Sequence, residues 1–269
     1  MHRIFTIAAL ALTAIAHPID LQTLFVPQGG DIYGVTTQAA PNMAGGGNLQ
    51  TIVQHAASTW ERSILDDWTI EIKYGWSDSI GGSLAQYYGW FLPFGGRHLF
   101  GRILFNPSFS WYADETPEDN EGFGLYDERY ANLGGGAMNI GRRYTQAVGA
   151  PAGKFDLLTT ALHELGHSFS IGIGAMWDTE TADGDIDVIS PRRYAGSRIP
   201  VANGHLSVDT SVLYYGLSQG ERRLLTDVDL AAAMQINEHQ IYGDPVPEPA
   251  GLLVLSVGFL SMLRRRIIG

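Results

Sequence analysis

The chain has 269 residues, enough for one or two domains, and 45% of them are hydrophobic, enough for a sizeable core. Its net charge of −11 argues against nucleic acid as a partner, because nucleic-acid phosphates are bound by basic surfaces. The chain contains no Cys, so any metal ion would be held by His, Asp, Glu or Tyr rather than by thiolates.

The N-terminus predicts export. Met1-His2-Arg3 is a short basic start, the stretch Ile4–Ile15 is apolar and uncharged, and Ala14-Ile15-Ala16 supplies the small residues that signal peptidase requires. We therefore expect residues 1–16 to be a removed signal peptide. The alternative is an amphipathic first helix of the mature fold, which so apolar a stretch disfavours.

The first half of the expected domain, residues 17–244, predicts strands around one helix. The Gly-, Pro- and Asn-rich stretch up to residue 48 favours irregular strands at Leu24–Val26 and Ile32–Thr36. Asn48 can then cap a helix that runs to about Leu65. Strands are predicted again at Trp68–Tyr74, where apolar and polar residues alternate, and at Arg102–Phe105.

The second half predicts loops between two helices. An acidic loop is expected at Asp114–Glu128, and the Gly-rich stretch Gly134–Gly153 also reads as a loop. A helix is predicted over residues 154–171, followed by an irregular segment at Trp177–Gly204. The last predicted helix runs from Asp227 to about His239, so the expected fold class is α+β.

The predicted helix over residues 154–171 contains the most informative motif, His163-Glu164-Leu165-Gly166-His167. Residues four positions apart lie on the same face of a helix, so both imidazoles can bind one metal ion. Neither histidine falls on the apolar stripe of this helix, which consists of Phe155, Leu158, Leu162, Leu165 and Phe169. The motif therefore predicts two metal ligands that lie off the apolar stripe of the helix.

Neutral imidazoles bind Zn²⁺ and leave it able to polarise a water molecule and a peptide carbonyl. Glu164 is placed to accept the proton of that water, so it is the candidate general base. The alternative is coincidence, since only three of the five positions in the motif are fixed. The helical phase and the predicted export favour the metal site.

The order of strands, metal helix, irregular segment and final helix resembles that of the metzincin clan of zinc peptidases. Ser211–Tyr215 resembles the Met-turn of that clan, and residues 227–243 resemble its closing helix. The resemblance implies a metzincin-like zinc peptidase that hydrolyses proteins or peptides. The chain departs from the clan at three positions: Ser170 replaces a Gly, Ile173 replaces the third His, and Leu213 replaces the Met.

A catalytic zinc ion usually has three protein ligands, so a substitute for the missing histidine is needed. His205 is the first candidate, because it follows the flexible Gly204 and lies shortly before Ser211–Tyr215. The alternative is a loop histidine that bonds only to backbone. Asp178 and Glu180 compete for the same role, whereas three other histidines lack a comparable context: His55, His98 and His239.

Two further patterns carry weaker expectations. Asp183-Gly184-Asp185-Ile186-Asp187 directs alternating carboxylates to one side and could hold a structural Ca²⁺. The bidentate Glu of a full calcium loop is missing, which favours a solvated acidic turn. Tyr214 or Tyr215 could donate a hydrogen bond to an oxyanion, although a packing role is the alternative.

The C-terminal segment, residues 245–269, has three parts. Val246-Pro247-Glu248-Pro249 is followed by the apolar stretch Ala250–Leu263, a marginal transmembrane helix, and then by Arg264-Arg265-Arg266. This order resembles the PEP-CTERM sorting signal of bacterial envelope proteins. The resemblance implies cleavage by an exosortase, after which the protein is released from its membrane anchor to the cell surface or an exopolysaccharide matrix.

The sequence as a whole predicts an exported zinc endopeptidase with His163, His167 and His205 as ligands and Glu164 as base. The second hypothesis is a non-catalytic surface or matrix protein on a metzincin-like scaffold. In that case the departures from the clan at Ser170 and Ile173 would reflect a loss of catalytic activity. Bound zinc and cleavage of denatured protein distinguish the two hypotheses.

Overall fold

A computed structural model describes residues 18–91 and 96–239. The predicted signal peptide and the predicted sorting segment both lie outside these ranges, as does the apolar stretch Ala250–Leu263. Within the described ranges, no helix combines the length and apolar character that a bilayer crossing requires.

The described chain forms an α+β fold, which confirms the predicted class. Its helices are α1 (Leu49–Ser63), α2 (Leu157–His167), α3 (Ala175–Glu180) and α4 (Asp227–Ile236). Its strands are β1 (Asp20–Phe25), β2 (Asp31–Ile32), β3 (Val35–Thr36), β4 (Thr69–Trp76), β5 (Ala85–Phe91), β6 (His98–Phe105), β7 (Trp111–Tyr112), β8 (Leu125–Asn132), β9 (Ala137–Thr145), β10 (Phe155–Asp156), β11 (Asp185–Asp187), β12 (Arg198–Ala202), β13 (His205–Leu206) and β14 (Arg222–Leu224).

The main sheet is mixed and has the strand order β1-β4-β6-β5. β1, β4 and β6 run parallel, whereas β5 pairs antiparallel with β6 at the edge. In β4, every second side chain from Ile70 through Ile72 to Tyr74 is buried, which is the alternation from which the sequence predicts this strand. The helices cover this inner face of the sheet and form the principal core with it.

The first helix starts where the sequence predicts. Asn48 is its N-cap, and the side chain of Asn48 accepts a hydrogen bond from the backbone amide of Thr51. Its apolar face packs against α2, and the indole of Trp60 donates a hydrogen bond of 3.0 Å to the carbonyl oxygen of Leu162. This contact fixes α2 just before its first histidine.

α2 is shorter than the helix predicted over residues 154–171. Its N-terminal flank, β10, pairs in parallel with β7 before the chain turns into α2. Asp156 then caps the helix by accepting from the backbone amide of Thr159. The helix ends at His167, and the chain leaves it through a turn in which Ser170 has a left-handed φ of 59°.

The prediction that Gly134–Gly153 is a loop is wrong, because this stretch contains the nine-residue strand β9. β9 lies between β8 and β14 in a three-stranded sheet. β8 also begins inside the predicted acidic loop, which therefore ends before Leu125 rather than at Glu128. A register shift between Arg129 and Tyr130 interrupts the regular pairing of β8 with β9. The glycines beside β9 favour a loop in the sequence, and for this reason the strand is not predicted.

The segment Trp177–Gly204 is also more regular than predicted, since it contains most of α3 together with β11 and β12. Elements of three to six residues are too short to show a period in the sequence. The last helix is predicted correctly in position but ends at Ile236 instead of near His239.

Candidate metal centre

Three histidines converge at one end of α2. His163 and His167 lie one turn apart on the helix, and β13 brings His205 beside them. Their candidate ligand atoms all lie within 4.8 Å of one another. Among the described residues this is the one group of three or more side chains with metal-ligating atoms so arranged, and it could bind a metal ion.

Two glycines allow His205 to reach this position. Gly172 has a left-handed φ of 73°, and a Cβ added to it would overlap the carbonyl oxygen of Gly204. The turn after α2 therefore packs backbone against backbone on the loop that precedes His205. His205 thereby reaches the cleft that Ile173 also lines.

Each imidazole of the cluster is oriented by a backbone carbonyl. The Nδ1 atoms of His163, His167 and His205 lie 2.8, 2.6 and 2.7 Å from the carbonyl oxygens of Val212, Ile171 and Asn203. A carbonyl oxygen can only accept, so each Nδ1 carries the proton and each Nε2 presents a lone pair. The Nε2 atoms of His163 and His167 are 3.1 Å apart, and a shared cation would relieve the repulsion between their lone pairs.

The electrostatic environment keeps these imidazoles neutral. Burial, followed by the neighbouring His167 and His205, lowers the pKa of His163 well below its usual value. Burial and then His205 lower the pKa of His167 to about 4, and burial lowers the pKa of His205. All three are therefore in the form that binds metal ions at neutral pH.

Glu164 is buried beside the histidines. Burial raises the pKa of its carboxyl group to about 8, although a hydrogen bond from the backbone amide of Tyr87 partly opposes this shift. Its Oε2 atom has no hydrogen-bond partner among the described residues. A buried carboxyl group with one free oxygen next to three imidazoles can take up and release a proton.

A cleft of about 580 Å³ opens over the cluster and is lined by all three histidines and Glu164. One wall is the start of the edge strand β5, from Ala85 to Tyr87. Tyr214 and Tyr215, the last residues of the Met-turn-like segment Ser211–Tyr215, also line the cleft. The ring of Tyr215 is 58% exposed, and its centroid lies 6.4 Å from that of His205.

The other candidate ligands lie outside the cluster. Asp178 and Glu180 belong to α3, and Glu180 accepts a hydrogen bond from the backbone amide of Asp187. His98 contacts the hydroxyl group of Tyr87 at 2.9 Å. His239 bonds to Asp66, and His55 lies within α1.

The carboxylates of the possible calcium site pair with the side chain of Arg198. Asp183, Asp185 and Asp187 lie 2.9, 2.9 and 3.2 Å from guanidinium nitrogens of Arg198. These side chains are at least partly exposed, so each pair is a weak surface ion pair. Asp185 and Asp187 of this pattern lie on β11, and all three carboxylates pair with Arg198.

One supporting residue, Asp229, was not predicted from the sequence. Asp229 accepts hydrogen bonds from both Ser211 and the backbone amide of Leu213, and so holds the Met-turn-like segment against α4. The available signal was the spacing Thr226-x-x-Asp229, which resembles a capping box at a helix N-terminus. That signal predicts the cap but not its contact with a distant loop.

Comparison with known proteins finds no match to this chain among family models, curated proteins or solved structures.

Proposed function

We propose that the protein is an exported zinc endopeptidase of the metzincin type. The observation that supports this most directly is the distance of 3.1 Å between the Nε2 atoms of His163 and His167. Two nitrogens bound at about 2.0–2.1 Å to one tetrahedral ion lie about 3.3 Å apart, so the pair is spaced for zinc without rearrangement.

The donor set favours zinc over a hard cation. Imidazole nitrogens suit zinc and related transition metals, whereas calcium and magnesium prefer oxygen ligands. Three protein ligands also leave a fourth tetrahedral position open, which distinguishes a catalytic zinc site from a structural one. His163, His167 and His205 would hold the ion, and the adjoining cleft gives a substrate access to it.

Bound zinc would supply Lewis acidity toward a water molecule and a peptide carbonyl. In this proposal Glu164 removes the proton of the water and later delivers it to the leaving amine. Oε2 of Glu164 has no hydrogen-bond partner among the described residues and so is free to accept that proton. The exposed hydroxyl group of Tyr215 is a candidate donor to the developing oxyanion.

The shape of the cleft favours an extended polypeptide as substrate. β5 is an edge strand of the main sheet, and its first residues line the cleft beside Glu164. Unpaired backbone groups of an edge strand can bind an extended chain by adding it to the sheet. A substrate held in this way would pass its backbone over the three histidines.

The second hypothesis, a non-catalytic matrix protein, depends on Ser170 and Ile173. Ser170 adopts a left-handed conformation that a Gly would accept more easily, so the turn forms without the Gly. His205 lies where a third imidazole is needed, so the substitution at Ile173 leaves the set of three complete. Neither departure removes a part that the proposed chemistry requires.

Metal analysis combined with a cleavage assay tests the proposed function. We expect the purified protein to contain about one zinc ion per chain, and to cleave a denatured protein until a chelator removes the metal. Added zinc should restore cleavage. A protein that binds no zinc, or that cleaves equally well without it, would refute the proposal.

A further inference from the structure

The carboxylate of Asp229 is buried and accepts hydrogen bonds on both oxygens. Oδ2 accepts from the backbone amide and the hydroxyl group of Thr226, at 3.0 and 2.7 Å, which caps α4. Oδ1 accepts from the hydroxyl group of Ser211 and from the backbone amide of Leu213, the latter at 3.2 Å. One side chain thus joins the start of α4 to the Met-turn-like segment.

The peptide group between Val212 and Leu213 is fixed by these bonds. The amide of Leu213 also donates to the hydroxyl oxygen of Ser211 at 2.9 Å. The carbonyl oxygen of Val212, which belongs to the same peptide unit as the Leu213 amide, accepts from Nδ1 of His163 at 2.8 Å. Because a peptide unit is planar, fixing its amide also fixes the direction of its carbonyl group.

Two other contacts keep this turn against the cluster. The carbonyl oxygen of Leu213 accepts from the backbone amide of Leu206, the neighbour of His205, at 3.1 Å. The side chain of Leu213 packs against Gly166 so closely that a Cβ on Gly166 would overlap it. The turn therefore touches both the helix that carries two of the histidines and the strand that carries the third.

We infer that Asp229 is a positioning residue for the metal site, which acts on His163 through the turn at Ser211–Leu213. It holds the Val212 carbonyl in the direction that keeps the proton on Nδ1 of His163 and the lone pair on Nε2. The inference rests on the proposed metal site for its consequence in zinc affinity, but the tautomer of His163 is a property of the metal-free protein. Partners of this kind around a ligand typically change metal affinity 10–100-fold.

Three variants separate this role from general stabilisation. Ser211→Ala removes the hydroxyl group that bonds to Asp229 and to the Leu213 amide, so only the direct bond from that amide to Asp229 remains on the turn side, and the cap of α4 stays intact. Thr226→Val is the matched control, because it removes a hydroxyl donor to the same carboxylate on the side that faces α4. Asp229→Asn alters both sides. Its neutral oxygen accepts more weakly than a carboxylate oxygen, and its NH2 group must face either the backbone amide of Leu213 or that of Thr226, which are both donors.

The measurements are the imidazole nitrogen signals of the metal-free protein by NMR, zinc affinity by competition with a chelator, and Tm. Ser211→Ala should show a mixture of His163 tautomers and at least about tenfold weaker zinc binding. Thr226→Val should lower Tm while the tautomer and the zinc affinity stay as in the wild type. Asp229→Asn should combine both effects, and if it fails to fold, Ser211→Ala decides.

A wild-type tautomer and zinc affinity in folded Asp229→Asn, or in Ser211→Ala where Asp229→Asn does not fold, would overturn the inference. Equal losses of zinc affinity in Ser211→Ala and Thr226→Val would overturn it as well, because they would indicate loss of stability alone. If the wild type binds no zinc, the proposed function is wrong. The positioning role of Asp229 can still be tested in that case, by comparing the His163 tautomer in the metal-free wild type and variants.

Discussion

Gly172 lies against Gly204 with no space between the two backbones for a side chain. This contact joins the turn after α2 to the loop before His205, two segments that are far apart in the sequence. The approach of His205 to the other two histidines therefore depends on the absence of a single Cβ atom.

The first prediction follows from this contact. Gly172→Ala should displace the loop at Gly204 and weaken zinc binding at least about tenfold, because a ligand shifted by a fraction of an ångström no longer meets the ion. Gly149→Ala is the matched control, since Gly149 has a similar φ of 69° but open space around its Cβ position. Both variants bear the strain of a left-handed alanine, so equal zinc affinities would contradict the prediction.

The second prediction concerns Glu164. Glu164→Gln keeps the size of the side chain and removes the base, so zinc content should persist while kcat falls about 10²–10⁴-fold. Zinc analysis and a cleavage assay on the same sample check both parts. Unchanged turnover would exclude Glu164 from the mechanism.

The third prediction ranks the three histidines. His163→Ala and His167→Ala should each lose zinc, because the remaining pair includes only one ligand from the rigid helix. His205→Ala should keep residual metal on the helix pair but bind it at least about tenfold more weakly and lose most activity. His55→Ala serves as control, since His55 lies in α1 outside the cluster. Stoichiometric, tightly bound zinc in His205→Ala would contradict this ranking.

The fourth prediction concerns the pH dependence of stability in the metal-free protein. Burial, followed by the nearby His167, lowers the pKa of His98 to about 4, below the ordinary value of 6.5. Between these values the unfolded chain binds more protons at this residue than the folded chain, so acidification destabilises the fold. The contribution of His98 is absent above pH 6.5 and reaches about 2 kcal/mol of destabilisation at pH 5.

Comparison with His98→Gln isolates this effect. Glu164 has a raised pKa and contributes in the opposite direction, but it is present in both proteins and cancels in the difference. Denaturant unfolding at pH 7 and pH 5 should show a larger loss of stability in the wild type than in His98→Gln. Equal losses would mean that His98 titrates normally in the fold.

The fifth prediction addresses the C-terminal segment outside the described residues. Truncation before Val246 should give an exported, soluble protein, because the apolar stretch Ala250–Leu263 is removed. Replacing only Pro247-Glu248-Pro249 should leave the protein in the membrane fraction of its own host. Identical fractionation of the truncated and full-length proteins would refute the sorting signal.

The sequence predicted features that depend on local spacing. The two helix histidines, the cap at Asn48 and the alternation in β4 all follow from rules that act over a few residues. The nearness of His205 was inferred by exclusion, since few imidazoles were available in a suitable loop. The structure then places its ligand atom within the cluster.

Features that depend on distant contacts could not be predicted in this way. The strand β9 is stabilised by its partners β8 and β14, while its flanking glycines suggest a loop. Asp229 reads as an ordinary helix cap, because its second set of bonds goes to a loop at Ser211. The need for glycine at position 172 comes from the backbone of Gly204, which no local pattern reveals.

The bonds of Asp229 also bear on when the candidate metal site is completed as the chain is made. Under the proposed export, the chain leaves the ribosome and then the cytoplasm with its N-terminus first, so His163 appears well before Asp229. Until the segment with Asp229 has joined the fold, the turn that bonds to His163 lacks the bonds from Asp229. Under the proposed function, a partly translocated chain is therefore inactive, and proteolytic activity begins only when nearly the whole domain has left the cytoplasm.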